Sequence, residues 1–131
     1  MEKRFKNWKK PQIKEGKLTK YNWLVQGVKG LEIGKEVDIG TFAYINAEAG
    51  VVLEDNVQLG GGVKIYSVST IDNKRGLVIL KKNCRIGANS VIMPGVTIGE
   101  NSIIGALSFV NKDVPDNVIA YGTPAKVIKN L

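Results

Sequence analysis

Large aliphatic side chains recur at every sixth position through most of the chain. They occupy twelve positions, which are Ile33, Ile39, Ile45, Leu53, Leu59, Ile65, Leu80, Ile86, Ile92, Ile98, Ile104 and Val110. Four residues after each of them stands a small or β-branched residue, namely Val37, Ala43, Ala49, Val57, Val63, Ser69, Cys84, Ser90, Val96, Ser102, Ser108 and Val114. One large and one small inward side chain in every six residues predicts a repeated short strand, because an amphipathic helix has a period of about 3.6.

Turn-forming residues fill two other fixed positions of the six-residue unit. One residue after the aliphatic, six of the twelve units have glycine (Gly34, Gly40, Gly60, Gly87, Gly99 and Gly105), and three residues after it, seven have Asn56, Gly62, Asn83, Asn89, Gly95, Asn101 or Asp113. These residue types tolerate positive φ, so we expect a tight corner between strands at both positions. Three units would close one triangular rung. Successive rungs would then stack Ile33, Leu53, Leu80 and Ile98, then Ile39, Leu59, Ile86 and Ile104, then Ile45, Ile65, Ile92 and Val110.

Two interruptions and two non-repeating ends complete the pattern. Two extra residues lie between Ile45 and Leu53, and nine extra residues, Ile71 to Ile79, lie before Leu80. We therefore expect one domain over residues 1–131, an all-β parallel β-helix of about four triangular rungs. Its parts would be an amino-terminal cap at 1–30, the β-helix at 31–115 with a loop at 71–79, and a carboxy-terminal tail at 116–131. A long insertion in a repeat often carries the binding surface, although a plain surface loop is the alternative.

Composition excludes several kinds of chemistry. The chain has one cysteine and no histidine, so catalytic triads with an imidazole and a zinc site are not expected, and we predict no metal. No stretch reaches the roughly 18 to 20 apolar residues of a membrane span, and the start lacks the apolar core of a secretory signal. We therefore expect a cytoplasmic protein that does not bind membranes.

The net charge of +7 suits a phosphorylated ligand, although nucleic acid or an anionic surface would suit it equally. The opening segment is its densest basic run, with Lys3, Arg4, Lys6, Lys9 and Lys10 around Phe5 and Trp8. Such a run resembles a nucleic-acid arm, but a solvated arm or a cap that packs by its aromatic rings is the commoner meaning. We expect no nucleic-acid partner.

A family resemblance is carried by two stretches. From Ile86 to Lys129 the chain reads IGANSVIMPGVTIGENSIIGALSFVNKDVPDNVIAYGTPAKVIK, which resembles the carboxy-terminal half of hexapeptide-repeat acetyltransferases of the sugar, galactoside and xenobiotic groups. From Val51 to Asp72, VVLEDNVQLGGGVKIYSVSTID resembles the rungs that lead into their active-site loop. The resemblance implies a left-handed coil, a homotrimer with active sites between subunits, and acetyl-CoA as acetyl donor. It is nearest to the branch that acylates nucleotide-linked amino sugars.

The same resemblance implies a coenzyme A site along the last rungs and the tail. It is formed by Ala88 and Ala106 beside the pantetheine arm, Asn111 and Lys112 on the pantetheine or phosphates, and Lys126 and Lys129 on the 3′-phosphate or pyrophosphate. A bulky residue in place of either alanine would block the channel, and lysines suit phosphate as point charges. The alternative for Lys126 and Lys129 is that they are ordinary surface lysines.

Sugar O-acetyltransferases of this family place a histidine base in the loop where this chain has Ser69 or Thr70. A base at a sugar hydroxyl is typically worth about 10² to 10⁴ in rate. An amine with a pKa of about 8 is roughly a tenth neutral at pH 7 and attacks a thioester without an imidazole. The missing histidine therefore favours transfer to the amine of an amino sugar, with Ser69 and Thr70 in the acceptor site.

Carboxylates and pattern-breaking residues complete the predicted site. Asp72 is the first candidate to accept the proton, followed by Glu48 and water; its alternative is an ordinary turn residue. Asn46 and Tyr66 replace the usual glycine beside the insertion, so Asn46 would orient the acceptor and Tyr66 would stack on it, unless both are tolerated surface substitutions. Cys84 stands at a small inward position and is expected in the core.

Two other functions stay open at this point. One is sugar O-acetylation with a carboxylate or water relay. The other is a catalytically silent β-helix that binds coenzyme A or serves as a scaffold.

Overall fold

Short parallel strands wind into a three-sided coil in the computed structural model, which describes residues 4–131. Each side is one sheet, and we number the strands in chain order. The first side contains four strands: β2 Leu31–Ile33, β5 Val51–Leu53, β10 Val78–Leu80 and β13 Thr97–Ile98. The second side contains six: β3 Asp38–Ile39, β6 Gln58–Leu59, β11 Arg85–Ile86, β14 Ile103–Ile104, β16 Val118–Gly122 and β17 Ala125–Asn130. The third side contains five: β1 Leu24–Gln26, β4 Tyr44–Asn46, β7 Lys64–Tyr66, β12 Val91–Ile92 and β15 Phe109–Val110.

The predicted columns of aliphatic residues are confirmed by the strand register. All three columns pair in the predicted order along the parallel ladders, for example Leu53 with Leu80 on the first side and Ile65 with Ile92 on the third. Eleven of the twelve aliphatics are buried, and Ile33 at the amino-terminal end is partly buried. The core is therefore a line of like side chains stacked from rung to rung.

The small inward position was predicted wrongly at the two interruptions. Ala49 and Ser69 are only partly buried. Val51 and Val78, which stand two residues before the next aliphatic, are fully buried instead. The extra residues widen the corner, so the inward alternation restarts with the next strand rather than continuing from the previous one.

The glycines that follow the aliphatics are needed for a different reason from the one predicted. None of the six has a positive φ. A Cβ at Gly87 would instead lie 2.4 Å from the backbone nitrogen of Ala106, and one at Gly40 would lie 2.5 Å from that of Gly61. Adjacent rungs approach so closely at these glycines that a side chain does not fit.

Within the regular six-residue units, positive φ falls at the third position after the aliphatic, and there the prediction holds at six of seven residues. Asn56, Gly62, Asn83, Asn89, Gly95 and Asn101 have φ between 59° and 82°. Asp113 is not among the positive-φ residues; its carboxylate accepts the backbone N–H of Thr97 at 2.8 Å. Glu36, Phe42 and Leu107 adopt the same conformation without being residue types that favour it. Most corners of the coil therefore adopt this conformation even where the residue type does not favour it.

The amino-terminal segment is more than the expected cap. Strand β1 pairs in parallel with β4, and Trp23 and Val25 are buried in the core. A 3-10 turn, Val28–Gly30, then leads into β2. The carboxylate of Glu15 accepts the backbone N–H groups of Gly27 and Val28, both at 2.9 Å, and these bonds, chiefly that from Val28, lower the pKa of Glu15.

The first residues of the described chain fold back over the first rung. Trp8 Nε1 donates to the carbonyl of Val37 at 3.1 Å, and the guanidinium of Arg4 pairs with Asp38. Lys3 of the predicted basic run lies outside the described residues. The segment thus packs by its aromatic rings, which was one of the two commoner alternatives to a nucleic-acid arm.

The insertion and the tail both form hairpins. Strands β8 Val68–Ser69 and β9 Lys74–Arg75 are antiparallel, with Ile71 99% exposed at the tip, and the coil resumes at Val78, inside the predicted loop. After the bridge between Ile98 and Val114, β16 extends the second side and β17 folds back antiparallel to it. In residues 4–131 no helix is long and apolar enough to cross a membrane.

We predict that Gly87→Ala destabilises the protein by about 1 to 3 kcal/mol, because the new methyl group overlaps the backbone of Ala106. Gly61→Ala is the matched control on a neighbouring rung, since its Cβ would meet nothing closer than the Thr41 oxygen at 3.3 Å. Urea unfolding of the two variants measures the difference. Equal stability of the two would show that rung spacing does not require the glycine.

Candidate active site

A groove of about 530 Å³ runs across the outer surface of the third side, under the hairpin of the insertion. We call it the third-side groove. It is lined by Gln26, Tyr44, Asn46, Glu48, Lys64, Tyr66, Val68, Ser69, Thr70, Ile71, Val91 and Met93. Five of the predicted site residues are therefore brought together: Asn46, Glu48, Tyr66, Ser69 and Thr70.

Strand length explains why this side carries the groove. Strands β4 and β7 extend one residue past the inward aliphatic, to Asn46 and Tyr66, which lie opposite each other in the ladder. The rings of Tyr44 and Tyr66 lie 5.4 Å apart and are tilted by 49°. Sequence reasoning missed Tyr44, and Gln26, whose side-chain oxygen accepts the Tyr44 hydroxyl. Both residues occupy outward positions on strands, and the repeat identifies only the inward positions.

The side chain of Asn46 is held in one orientation. Its Oδ1 accepts the hydroxyl of Ser67 at 3.1 Å and the backbone N–H of Glu48 at 3.2 Å, and the residue is 8% exposed. A backbone donor identifies that atom as the oxygen, so the amide NH₂ is the remaining group. Within residues 4–131 it donates to no partner. Asn46 therefore presents a fixed donor to a ligand in the groove.

The two candidate carboxylates differ in their surroundings. Glu48 lines the groove, whereas Asp72 does not. Asp72 is exposed on the hairpin, where the Ser69 hydroxyl donates to it at 2.6 Å and the Lys74 ammonium lies 3.6 Å away. These contacts, chiefly the Ser69 hydrogen bond, lower the pKa of Asp72, so it holds a proton weakly. The geometry favours Glu48 over Asp72 as a proton acceptor.

Small residues form a ladder on the corner between the second and third sides, which we call the second corner. Ala88 and Ala106 occupy equivalent places on successive rungs, both exposed, and the backbone N–H of Leu107 donates to the carbonyl of Ala88 at 2.9 Å. At the carboxy-terminal end of this corner Tyr121 packs against Gly105 and pairs with Lys126 in the β16–β17 ladder. Ala88, Ala106 and Lys126 are therefore aligned along one corner.

The other predicted cofactor residues lie away from this line. Lys129 pairs with Ile119, farther across the second side. Asn111 and Lys112 follow β15 and stand at the opposite edge of the third side. All three are exposed, and within one copy of the chain they lie apart from the two alanines of the second corner.

Cys84 lies in the core, as predicted. The side chain is fully buried, and burial, with a smaller contribution from Glu54, raises the pKa of its thiol to about 12. At neutral pH the sulfur is a protonated thiol without access to a substrate, so it does not serve as a nucleophile.

Two family models match the coil itself. The model described as bacterial transferase hexapeptide (six repeats) matches residues 78–112, and the one described as hexapeptide repeat of succinyl-transferase matches residues 30–67. The two matches lie on either side of the insertion and together cover more than half of the chain. The chain belongs to the hexapeptide-repeat transferase family. The strand topology described above confirms the predicted all-β class and parallel β-helix.

Relatives of this chain are named for acetyl transfer to a hydroxyl and for acetyl transfer to an amine. A galactoside O-acetyltransferase of Lactococcus lactis is 38% identical over 113 residues, covering 75% of this chain and 55% of the relative. A dTDP-3-amino-3,6-dideoxy-α-D-galactopyranose 3-N-acetyltransferase of Aneurinibacillus thermoaerophilus is 52% identical over 52 residues, covering 40% and 27%.

The coil of this chain resembles solved structures of other hexapeptide-repeat proteins. A hexapeptide-repeat acetyltransferase of Vibrio cholerae complexed with acetyl coenzyme A superposes with a TM-score of 0.79 at 29% identity, covering 83% of this chain and 64% of that one. The chain spans little more than half of the length of the first curated relatives it matches.

Proposed function

We propose that the chain is a cytoplasmic, homotrimeric acetyltransferase that transfers the acetyl group of acetyl-CoA to the amine of a nucleotide-linked amino sugar. One observation carries the proposal. The third-side groove offers a fixed amide donor on Asn46 and two tyrosine rings, while the whole chain contains no histidine. A sugar ring suits such a groove, and an amine is the sugar nucleophile that needs no imidazole.

The reaction needs only positioning and one proton acceptor. The neutral amine forms a C–N bond to the thioester carbonyl carbon, the C–S bond breaks, and coenzyme A leaves as a thiol. The proton lost from nitrogen passes to Glu48 or to water and from there to the departing sulfur, which is how coenzyme A comes to leave as a thiol. Asn46 orients the acceptor through its NH₂ group, Tyr66 stacks on it, and Ser69 and Thr70 bound the acceptor site. Asp72 acts through Ser69, which it holds by a hydrogen bond.

Acetyl-CoA fits the second corner. Ala88 and Ala106 leave a smooth track for the pantetheine arm, and Lys126 supplies positive charge at its carboxy-terminal end. Lys129 adds positive charge farther across the second side. Asn111 and Lys112 lie at the far edge of the third side, so in a homotrimer they would reach the cofactor from a neighbouring copy. The acetyl-CoA complex of the Vibrio cholerae relative supports this cofactor.

Sugar O-acetylation is the second candidate. The identity to a galactoside O-acetyltransferase favours it, and Glu48 in the groove is a carboxylate that could relay the hydroxyl proton. A silent coenzyme A binding scaffold is the remaining alternative, since a missing imidazole would suit it equally.

We predict that the protein releases free thiol from acetyl-CoA with nucleotide-linked amino sugars and not with the matching hydroxy sugars. The rate constant kcat/KM should rise with pH through the amine pKa of about 8 and show no inflection near the histidine value of about 6.5. A thiol-release assay across the two sets of sugars and across pH measures both. Turnover with hydroxy sugars alone would support O-acetylation, and coenzyme A binding without thiol release would support the scaffold.

We predict that Ala106→Trp weakens acetyl-CoA binding by about tenfold or more, because the indole fills the track along the second corner. Lys82→Trp is the control, since Lys82 holds the same place in the repeat on the corner between the first and second sides and is also exposed. Calorimetric titration with acetyl-CoA reports affinity, and circular dichroism reports folding. A folded Ala106→Trp variant with unchanged affinity would place the cofactor elsewhere.

We predict that Glu48→Gln lowers kcat by about 10- to 100-fold with little change in the KM for acetyl-CoA, because it removes the carboxylate that faces the acceptor. Asp72→Asn should have a smaller effect, since the lowered pKa of Asp72 makes it a poor proton acceptor. Steady-state kinetics at pH 7 compare the two. If Asp72→Asn loses more activity than Glu48→Gln, the proton acceptor is Asp72.

A further inference from the structure

A second concave region lies at the amino-terminal end of the coil. Two adjoining cavities of about 600 Å³ and 530 Å³ share Lys9, Pro11, Lys20 and Tyr21 in their walls. We call them together the amino-terminal groove. None of the sites described above uses it.

Aromatic residues line the first of the two cavities. Phe5, Trp8 and Tyr21 contribute exposed or partly exposed side chains to its wall, and the buried Trp23 lies behind them. The segment that carries Phe5 and Trp8 is fixed to the first rung, because Trp8 Nε1 donates to Val37 and Arg4 pairs with Asp38. The cavity therefore lies between the amino-terminal segment and the first rung of the coil. The two contacts fix the segment in place on that rung.

Uncompensated lysines line the second cavity. Lys9, Lys10, Lys14 and Lys20 all contribute to it, and no carboxylate does. The one carboxylate in the wall of the first cavity, Asp38, is already paired with Arg4. Within the described chain none of these four lysines forms an ion pair, and the Lys20 ammonium lies 5.1 Å from the centre of the Tyr21 ring. Positive charge therefore stands directly beside aromatic surface.

The strands connect this groove to the third-side groove. Tyr21 and Asn22 lead into β1, which ends at Gln26 in the third-side groove, and Thr41 leads into β4 with Tyr44 in the same way. The four residue steps from Asn22 to Gln26 span at most about 13 Å, the length of a fully extended strand. One extended ligand with a sugar at one end and a nucleoside at the other can therefore reach both grooves.

We propose that the amino-terminal groove binds the nucleoside diphosphate part of the acceptor. The base stacks on the aromatic wall and the diphosphate lies against the lysines, while the amino sugar extends into the third-side groove. Aromatic side chains can stack on the base of a nucleotide, and neighbouring lysine ammonium groups can pair with its phosphates. The inference deepens the proposed function, and rests on it for the identity of the acceptor.

The two tryptophans of the chain report directly on this site. Trp8 and Trp23 are the only two, and both line the amino-terminal groove. Titration with thymidine diphosphate or uridine diphosphate at about 0.15 M salt, where long-range surface attraction is largely screened, should change the tryptophan fluorescence in a saturable way. Inorganic pyrophosphate should bind roughly tenfold more weakly or worse, because it lacks a base to stack.

A charge-matched pair of variants tests the lysines. Lys9→Glu combined with Lys20→Glu should weaken the binding of the nucleoside diphosphate by roughly tenfold or more. The control combines Lys17→Glu with Lys29→Glu, two exposed lysines of the same segment that line neither cavity, and it should bind as the unmodified protein does. If both double variants lose the same binding affinity for the nucleoside diphosphate, the lysines act only through the overall charge of the protein, and the inference is overturned.

Other outcomes separate this inference from the proposed function. Acetyl transfer without any tryptophan response to nucleoside diphosphates overturns the inference and leaves the function standing. A saturable response that the lysine variant abolishes, with no thiol release on any acceptor, supports the site and overturns the function. Tighter binding of a single-stranded oligonucleotide than of the diphosphate would overturn the inference in favour of a nucleic-acid surface.

Discussion

Stacking of one rung on the next is the constraint on which the remaining features of this protein depend. Parallel backbone hydrogen bonds fix the spacing, and columns of identical or similar aliphatics fill the interior. At the six glycines that directly follow an aliphatic, adjacent rungs lie so close that an added Cβ would overlap the next rung, as at Gly87 beside Ala106. All four units of the second side have glycine at this position, whereas no unit of the third side does, and Asn46 and Tyr66 there line the groove. Departure from the repeat and assembly of the candidate site therefore coincide.

The site residues gain their geometry from the same stacking. Asn46 is fixed because Ser67, on the following rung, donates to its oxygen, and the ring of Tyr66 lies beside Tyr44 because β4 and β7 are adjacent strands. Asn46 and Tyr66 lie on strands of the coil, whereas Ser69 lies on the hairpin. A reaction that requires positioning more than acid–base chemistry suits a scaffold of this kind.

The period of six was sufficient to predict the columns, the inward cysteine and most positive-φ corners, because each follows from one residue type at one repeated position. It was insufficient at the interruptions, where Val51 and Val78 take the inward places expected for Ala49 and Ser69. It also missed Tyr44, Gln26 and strand β1, since outward positions and the first rung are not part of the inward repeat. The relative merit of Glu48 and Asp72 depends on the hydrogen bond from Ser69, which no sequence pattern reports.

Because each rung bonds only to the rung before and after it, the length of the coil is independent of the chemistry on its third side. In-frame duplication of one complete turn beyond Val114 or ahead of Leu24 would add a layer at an end and leave the contacts of Asn46 and Tyr66 unchanged. An insertion of another length preserves the columns only where it loops out of the coil between strands, as the two and the nine extra residues of this chain do. Such a fold can thus acquire longer descendants by whole-turn steps while its central chemistry is inherited intact.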